Sequence, residues 1–164
     1  MSGARRPRRP RPRSLARLAA VQALYQLDFA GGTLDVAQVL EEFREERIPE
    51  LAAPEEEGAA PLPVDLGWFE TLVRGAWARQ FELDRLIQEV LRPGWTVERL
   101  GYATRALLRA AAFELLERRE VPWRVVIDEY VEIAKQLLGG EEPAWVNVAL
   151  DRLAKLLRKE EVAG

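Results

Sequence analysis

Residues 13–29 read RSLARLAAVQALYQLDF. Nothing from Leu15 to Phe29 interrupts a helix, and Ser14 is of the type that caps one, so the spacing predicts a single helix. Placed at about 100° per residue, Leu18, Val21, Tyr25 and Phe29 form one apolar stripe, and Ala16, Ala20, Ala23 and Leu27 form another. The polar positions fall into two narrow strips, Arg13/Arg17/Asp28 and Gln22/Gln26. A helix apolar on two sides is packed between neighbours, so the fold is built around this one.

Downstream, Gly31-Gly32 ends the helix and Thr33 can cap a second one, running to about Arg47 with Val36, Val39, Leu40 and Phe43 facing inward. Residues 49–63 carry four prolines, a glutamate run and alanines, and read as a mobile loop or insertion. Asp65 can start a third helix through Trp68, Phe69, Leu72, Val73 and Ala76, and a fourth follows from about Glu82 to Leu91. Pro93-Gly94 is the clearest break in the chain and is taken as the boundary between an N-terminal bundle (13–93) and a C-terminal bundle (94–164). A short turn at Thr96 leads to helices from about Tyr102 to Arg119, Trp123 to Leu138, and then a last one running to about Lys159. No segment alternates apolar and polar residues between turn signals, so no strands are assigned. The expected fold is all-α, about seven helices in two packed bundles within one compact domain.

Upstream, the first seventeen residues hold seven arginines and no acid. Beyond them the chain carries 17 basic against 27 acidic residues, so the overall charge of −3 conceals a basic end on an acidic body. An asymmetry of that size fits an arm for a polyanion. Pro7, Pro10 and Pro12 hold residues 1–12 extended and disfavour the amphipathic helix of a mitochondrial presequence. Arg17, Gln22 and Gln26 break up any secretory apolar run, and no stretch approaches the roughly 20 apolar residues of a membrane span. The chain reads as soluble and cytoplasmic, with no membrane association.

There is no cysteine and no histidine, which removes thiol chemistry and the commonest general base and metal ligand together. No glycine-rich phosphate loop, nucleophile elbow or metal-ligand spacing is present, so no cofactor and no metal are expected. Asp128, Glu129 and Glu132 cluster on one helix, but without a companion motif they read as a solvated or partner-facing edge, and no enzymatic activity is expected. Arg13 and Arg17 lie one turn apart at the root of the basic arm, with Tyr25 two turns beyond and the amides of Gln22 and Gln26 alongside. Arginines with nearby aromatics suit single-stranded RNA, whose phosphates neutralise charge and whose bases stack. Tyr25 shares a stripe with Leu18 and Val21, so core packing is open to it as well.

Four segments then carry a resemblance. ARLAAVQALYQLD, LLRAAAFELL, VPWRVVIDEYVEIAK and WVNVALDRLAKLLR occur in an order and spacing similar to those of the NusB family of bacterial transcription antitermination factors. The resemblance spans about Arg13 to Arg158 apart from the 49–63 loop. It implies two three-helix bundles. It also implies binding to the boxA element of nascent ribosomal RNA as a heterodimer with NusE, a small-subunit ribosomal protein. The pair would work within the RNA polymerase elongation complex and its other Nus factors. By position, the implied RNA surface includes Arg13, Arg17, Gln22 and Tyr25 on the first helix, with Glu141, Glu142 and Trp145 around the start of the last. Trp145 has a core role open to it as well as stacking. NusE would dock near Thr104, Arg105 and the following helix with its Asp128, Glu129 and Glu132. Val148 stands where the family pattern has glycine, and Thr104 where an acid is common. Two alternatives carry different functions: the NusB-like domain of ribosomal RNA cytosine methyltransferases, and a protein–protein or homodimer module that uses the bundle without RNA. Alone, the chain is expected to be a monomer or homodimer.

Overall fold

The computed structural model describes residues 11–164, so most of the extended basic arm expected over residues 1–12 lies outside the described residues. Among the described residues all regular structure is helical. The first helix, α1, spans Pro12–Phe29. It begins earlier than expected because Pro12 occupies the first turn, where its fixed φ suits a helix and its missing N–H is not needed. Ser14 is therefore inside the helix and not its cap. Its hydroxyl donates across to Glu129 at 2.8 Å. Gly31 (φ 60°) turns the chain out of the helix in the left-handed region that favours glycine.

The Thr33 hydroxyl donates back to the carbonyl of Ala30, so Thr33 closes α1 and does not open the next helix. The next helix, α2 (Val36–Glu42), starts at Asp35, whose backbone N–H is met by the Gln38 side chain. It widens into a π-turn over Phe43–Arg47 and continues as the single turn α3 (Ile48–Leu51). Pro49 accounts for the widening: it has no N–H for the carbonyl four residues back and its ring crowds that group. The expected loop thus begins at Ala52 and is closed by Leu62 N–H donating to Ala52 O at 2.8 Å. α4 (Leu66–Ala78) is capped as its sequence predicts, with the Asp65 carboxylate accepting from Trp68 N–H at 2.9 Å. α5 covers Gln80–Val90, a short 3-10 turn Val97–Arg99, α6 Tyr102–Glu117, α7 Trp123–Leu137, α8 Glu142–Leu157 and α9 Lys159–Ala163.

α1 lies between α4 and α6, and its alanines Ala16, Ala19, Ala20 and Ala23 are all buried, which lets the helices approach closely. α6 is the second axis. It is buried on nearly every side, against α1 and α4 on one flank and α5, α7 and α8 on the others. Gly75 of α4 sits on the ring of Phe113 of α6, where a Cβ would overlap the ring. The helices form two three-helix groups, α1–α2–α4 and α6–α7–α8, sharing one continuous hydrophobic core. α5, expected in the N-terminal bundle, packs mainly on α6 and α8 and only lightly on α4. The Pro93-Gly94 break therefore turns the chain within the second group.

Arg158 holds the far end of the molecule together. It is fully buried and donates to the carbonyls of Glu114, Leu115 and Arg118 around the end of α6, where helical partners run out, and to that of Val121. The turn α9 that follows brings Glu161 onto the first N–H of α7, Trp123, at 3.0 Å.

Candidate functional surfaces

The residues predicted from sequence separate onto the two ends of α1. At its N-terminal end Arg11 and Arg13 are exposed. Arg13 lies 3.8 Å over the Trp68 ring and pairs with Asp65 at 3.5 Å. The Asp65 N–H also donates to Pro12 O, so α4 fixes the root of the basic arm.

Arg17, one turn on, corrects the sequence reading. It is 3% exposed and forks onto the fully buried carboxylate of Glu114, with contacts of 2.7 and 2.8 Å, and it reaches Glu129 at 3.4 Å. Every strong anionic partner it needs is supplied from within the protein, so the guanidinium is taken up by the fold and is not exposed as the sequence suggested. Burial alone would lower its pKa, but the hydrogen bonds and charge of Glu114, with Tyr130 and Glu129 behind, outweigh that and raise it. Tyr130 completes the cluster by donating to Glu114 at 3.0 Å. Its phenol is pushed well above the ordinary tyrosine value by burial and then by the charge of Glu114.

At the C-terminal end of α1 the pattern reverses. Tyr25 is 41% and Phe29 65% exposed, so the outer part of the predicted core stripe faces solvent. The two rings lie parallel with centroids 6.0 Å apart, and Tyr102 of α6 meets both edge-on at 6.1 and 5.5 Å. Arg105 lies 5.0 Å from the Tyr102 ring and is held by Asp28 at 2.7 Å. Gln22 borders the shallow hollow beside Tyr25 and Phe29, together with Arg47 from the π-turn. Phe29 was assigned to the core, and Tyr102 was read only as a helix start. The cue available was the i,i+4 spacing of Tyr25 and Phe29 on α1, whereas no local pattern reveals that Tyr102 of α6 meets them.

Thr104 is buried and donates to Glu142 at the start of α8, so it corrects the expectation of a partner-facing residue. That bond ties the start of α8 to the first turn of α6. Glu141 and the half-buried Trp145 lie across it, on a groove between α8 and the end of α5. On α7, Asp128 is exposed, Glu132 is exposed and pairs with Lys135 at 3.7 Å, and Glu129 is turned toward Ser14 and Arg17. The acidic trio thus does not lie on one exposed surface.

These features describe a class, an all-helical scaffold with a buried ionic core and separate basic and aromatic faces turned outward. Among the described residues no helix is long and apolar enough to cross a membrane. The chain belongs to the NusB family, whose family model matches residues 14–155. It is 46% identical to the transcription antitermination protein NusB of Rhizobium etli (strain CIAT 652) over 148 residues, 90% of this chain and 89% of that one. It is 47% identical over 148 residues to the protein of the same name from Sinorhizobium fredii, again covering 90% and 89%. Among solved structures, NusB of T. maritima superposes with a TM-score of 0.71 at 30% identity, over 95% of this chain and 100% of that one. The fold is shared too with a chain in the crystal structure of the antitermination factors NusB and NusE in complex with double-stranded RNA. That match has a TM-score of 0.70 at 24% identity and covers 88% of this chain and 96% of the other.

Proposed function

We propose that this protein is an RNA-binding transcription antitermination factor. It binds boxA-like single-stranded RNA of nascent ribosomal transcripts together with NusE and supports processive elongation by RNA polymerase with other Nus factors. It acts in the cytoplasm, by binding and not by catalysis. Family membership supports the class of activity. The observation that carries the assignment of surfaces is the exposed aromatic cluster Tyr25, Phe29 and Tyr102.

Three large exposed aromatics in contact with one another form an apolar patch of the kind that marks a protein interface. Tyr25 and Phe29 lie parallel and Tyr102 abuts both edge-on, so the three rings are held together as one continuous apolar surface, which suits a protein partner more than separate bases. Tyr25 is therefore reassigned from RNA to NusE, whose docking site is this cluster with Arg105 and Gln22 at its border. RNA is left with the basic arm, Arg13, and the surface at the start of α8 bearing Glu141, Glu142 and Trp145. The carboxylates there serve as acceptors for base or ribose donors and not as phosphate contacts.

A gel-shift titration of boxA-like and scrambled RNA, with and without NusE, tests the reading. Tighter binding of boxA-like RNA, increased by NusE, is expected. Equal binding of both RNAs, or no effect of NusE, contradicts it.

A further inference from the structure

The groove behind Trp145 contains a second tryptophan that the fold does not use. Trp95 is 51% exposed, yet the turn that bears it is braced. Its backbone N–H donates to Arg92 O at 3.0 Å, its carbonyl accepts from the Gln88 amide at 2.8 Å, and the same amide accepts from Val97 N–H at 3.0 Å. A large indole left half in water on a fixed turn contributes less hydrophobic stabilisation to the fold than a buried one would. Trp95 faces Trp145 and Val148 of α8 across a groove of about 650 Å3, within the roughly 300–1,000 Å3 of small-ligand sites. Among the described residues the two indoles form no aromatic pair with each other, so space is left between them.

Two arginines flank this space on a protein that is otherwise acidic. Arg92 lies exposed on the groove, and none of the ion pairs among the described residues involves it. Arg152 is held across the floor by donating to Val90 O at 3.3 Å, which leaves most of its guanidinium edge available. Glu141 is the one acid on the rim.

We propose that this groove receives a nucleotide of single-stranded RNA, its base stacked on Trp95 and its phosphate on Arg92 and Arg152, continuing the strand beyond Trp145. The inference rests on the RNA-binding reading above and adds Trp95, Arg92 and Arg152 to it. Flat faces with cations beside them are the combination that single strands use, and stacking tolerates any base. Val148, exposed on the α8 wall, lines the site where the family pattern has glycine and gives the base a further apolar contact.

Fluorescence anisotropy of a labelled boxA-like RNA strand on the full chain tests this. Trp95→Ala is expected to weaken binding about 5- to 150-fold, the loss of one stacked base, and Trp95→Phe to retain most of the affinity. Arg92→Gln is expected to make the salt dependence shallower by about 0.7. Val148→Glu and Val148→Lys provide a check independent of indole truncation, since both place a polar group at the same exposed position. Weaker binding for glutamate and undiminished binding for lysine support a polyanion in the groove, and equal effects of the two overturn it. Unchanged affinity of Trp95→Ala, beside a wild-type chain that binds, rejects the groove and leaves the RNA reading standing. If sedimentation shows that Trp95→Ala abolishes self-association and spares RNA affinity, the groove belongs to a second copy and the proposal fails. A wild-type chain that does not bind the strand at all defeats the RNA reading itself.

Discussion

The two ends of α1 use their residues in opposite ways. At the N-terminal end an arginine is buried and consumed by the fold, and at the C-terminal end two aromatics stand in water. Polarity alone predicts the reverse. What decides each case is the partner waiting on another helix. Glu114 and Tyr130 make burial of Arg17 tolerable. At the other end α6 offers only Tyr102, itself exposed, so the rings of Tyr25 and Phe29 form a surface instead of a core.

The largest expected effect comes from breaking the buried pair. Arg17→Ala leaves Glu114 charged and without its cation at zero exposure, and should cost about 3–5 kcal/mol in a denaturant titration. A loss below about 1 kcal/mol would mean that the guanidinium is not anchored there. Tyr130→Phe removes one donor from the same carboxylate and should cost about 1.5–3 kcal/mol, the range for hydrogen bonds to charged groups.

The same tyrosine gives the cluster a pH signature. Because its folded pKa is raised, the native state holds its proton more tightly than the unfolded chain does. That contribution to stability is complete below pH about 10, the unfolded value, and is lost as pH rises from there toward the folded value. Urea midpoints followed from neutral to strongly alkaline pH should fall above about 10 in the wild type, and less in Tyr130→Phe. Parallel curves for the two proteins would remove Tyr130 from the account.

Smaller still is Arg13→Ala, which gives up a cation–π contact and a half-exposed ion pair and should cost about 0.5–1 kcal/mol. Of similar size is Tyr25→Ala. Its partly exposed ring gives up contacts with Phe29 and Tyr102 and should cost about 0.5–1.5 kcal/mol, with loss of NusE binding in a pull-down as the accompanying change. A large drop in stability with NusE binding intact would return Tyr25 to the core.

Local signals were legible where the physics is local. The Asp65 cap, the glycine stop after Phe29 and the helical periods of α4 through α8 all depend on residues within a turn or two, and they appear where the sequence places them. The start of α1 and the π-turn at Phe43–Arg47 were missed although they too are local, because proline can open a helix or sit inside one, and Thr33 was missed because its hydroxyl can close the preceding turn as well as cap the next helix. The site was less legible. Arg17 shares a helical strip with Arg13 and Asp28, and only Glu114, 97 residues away, distinguishes a structural arginine from a binding one. Thr104 is covered by Glu142 and the end of α6 by Arg158, across separations of 38 and about 40 residues that no periodicity encodes. α5 joins the second group because its apolar face fits α6 and α8, a choice that the strong break at Pro93-Gly94 disguises.

The most direct test separates the charge of Arg17 from its place in the fold. In Arg17→Met combined with Glu114→Gln, both charges are removed, the buried volume is kept, and the amide oxygen still accepts from Tyr130. Neutral replacement of a buried ion pair is often tolerated. With helicity confirmed by circular dichroism, boxA-like RNA affinity is measured across salt concentrations. The account predicts wild-type affinity and an unchanged salt slope. A folded double variant with weaker binding and a slope shallower by about 0.7 would contradict it, because it would show that Arg17 meets a phosphate.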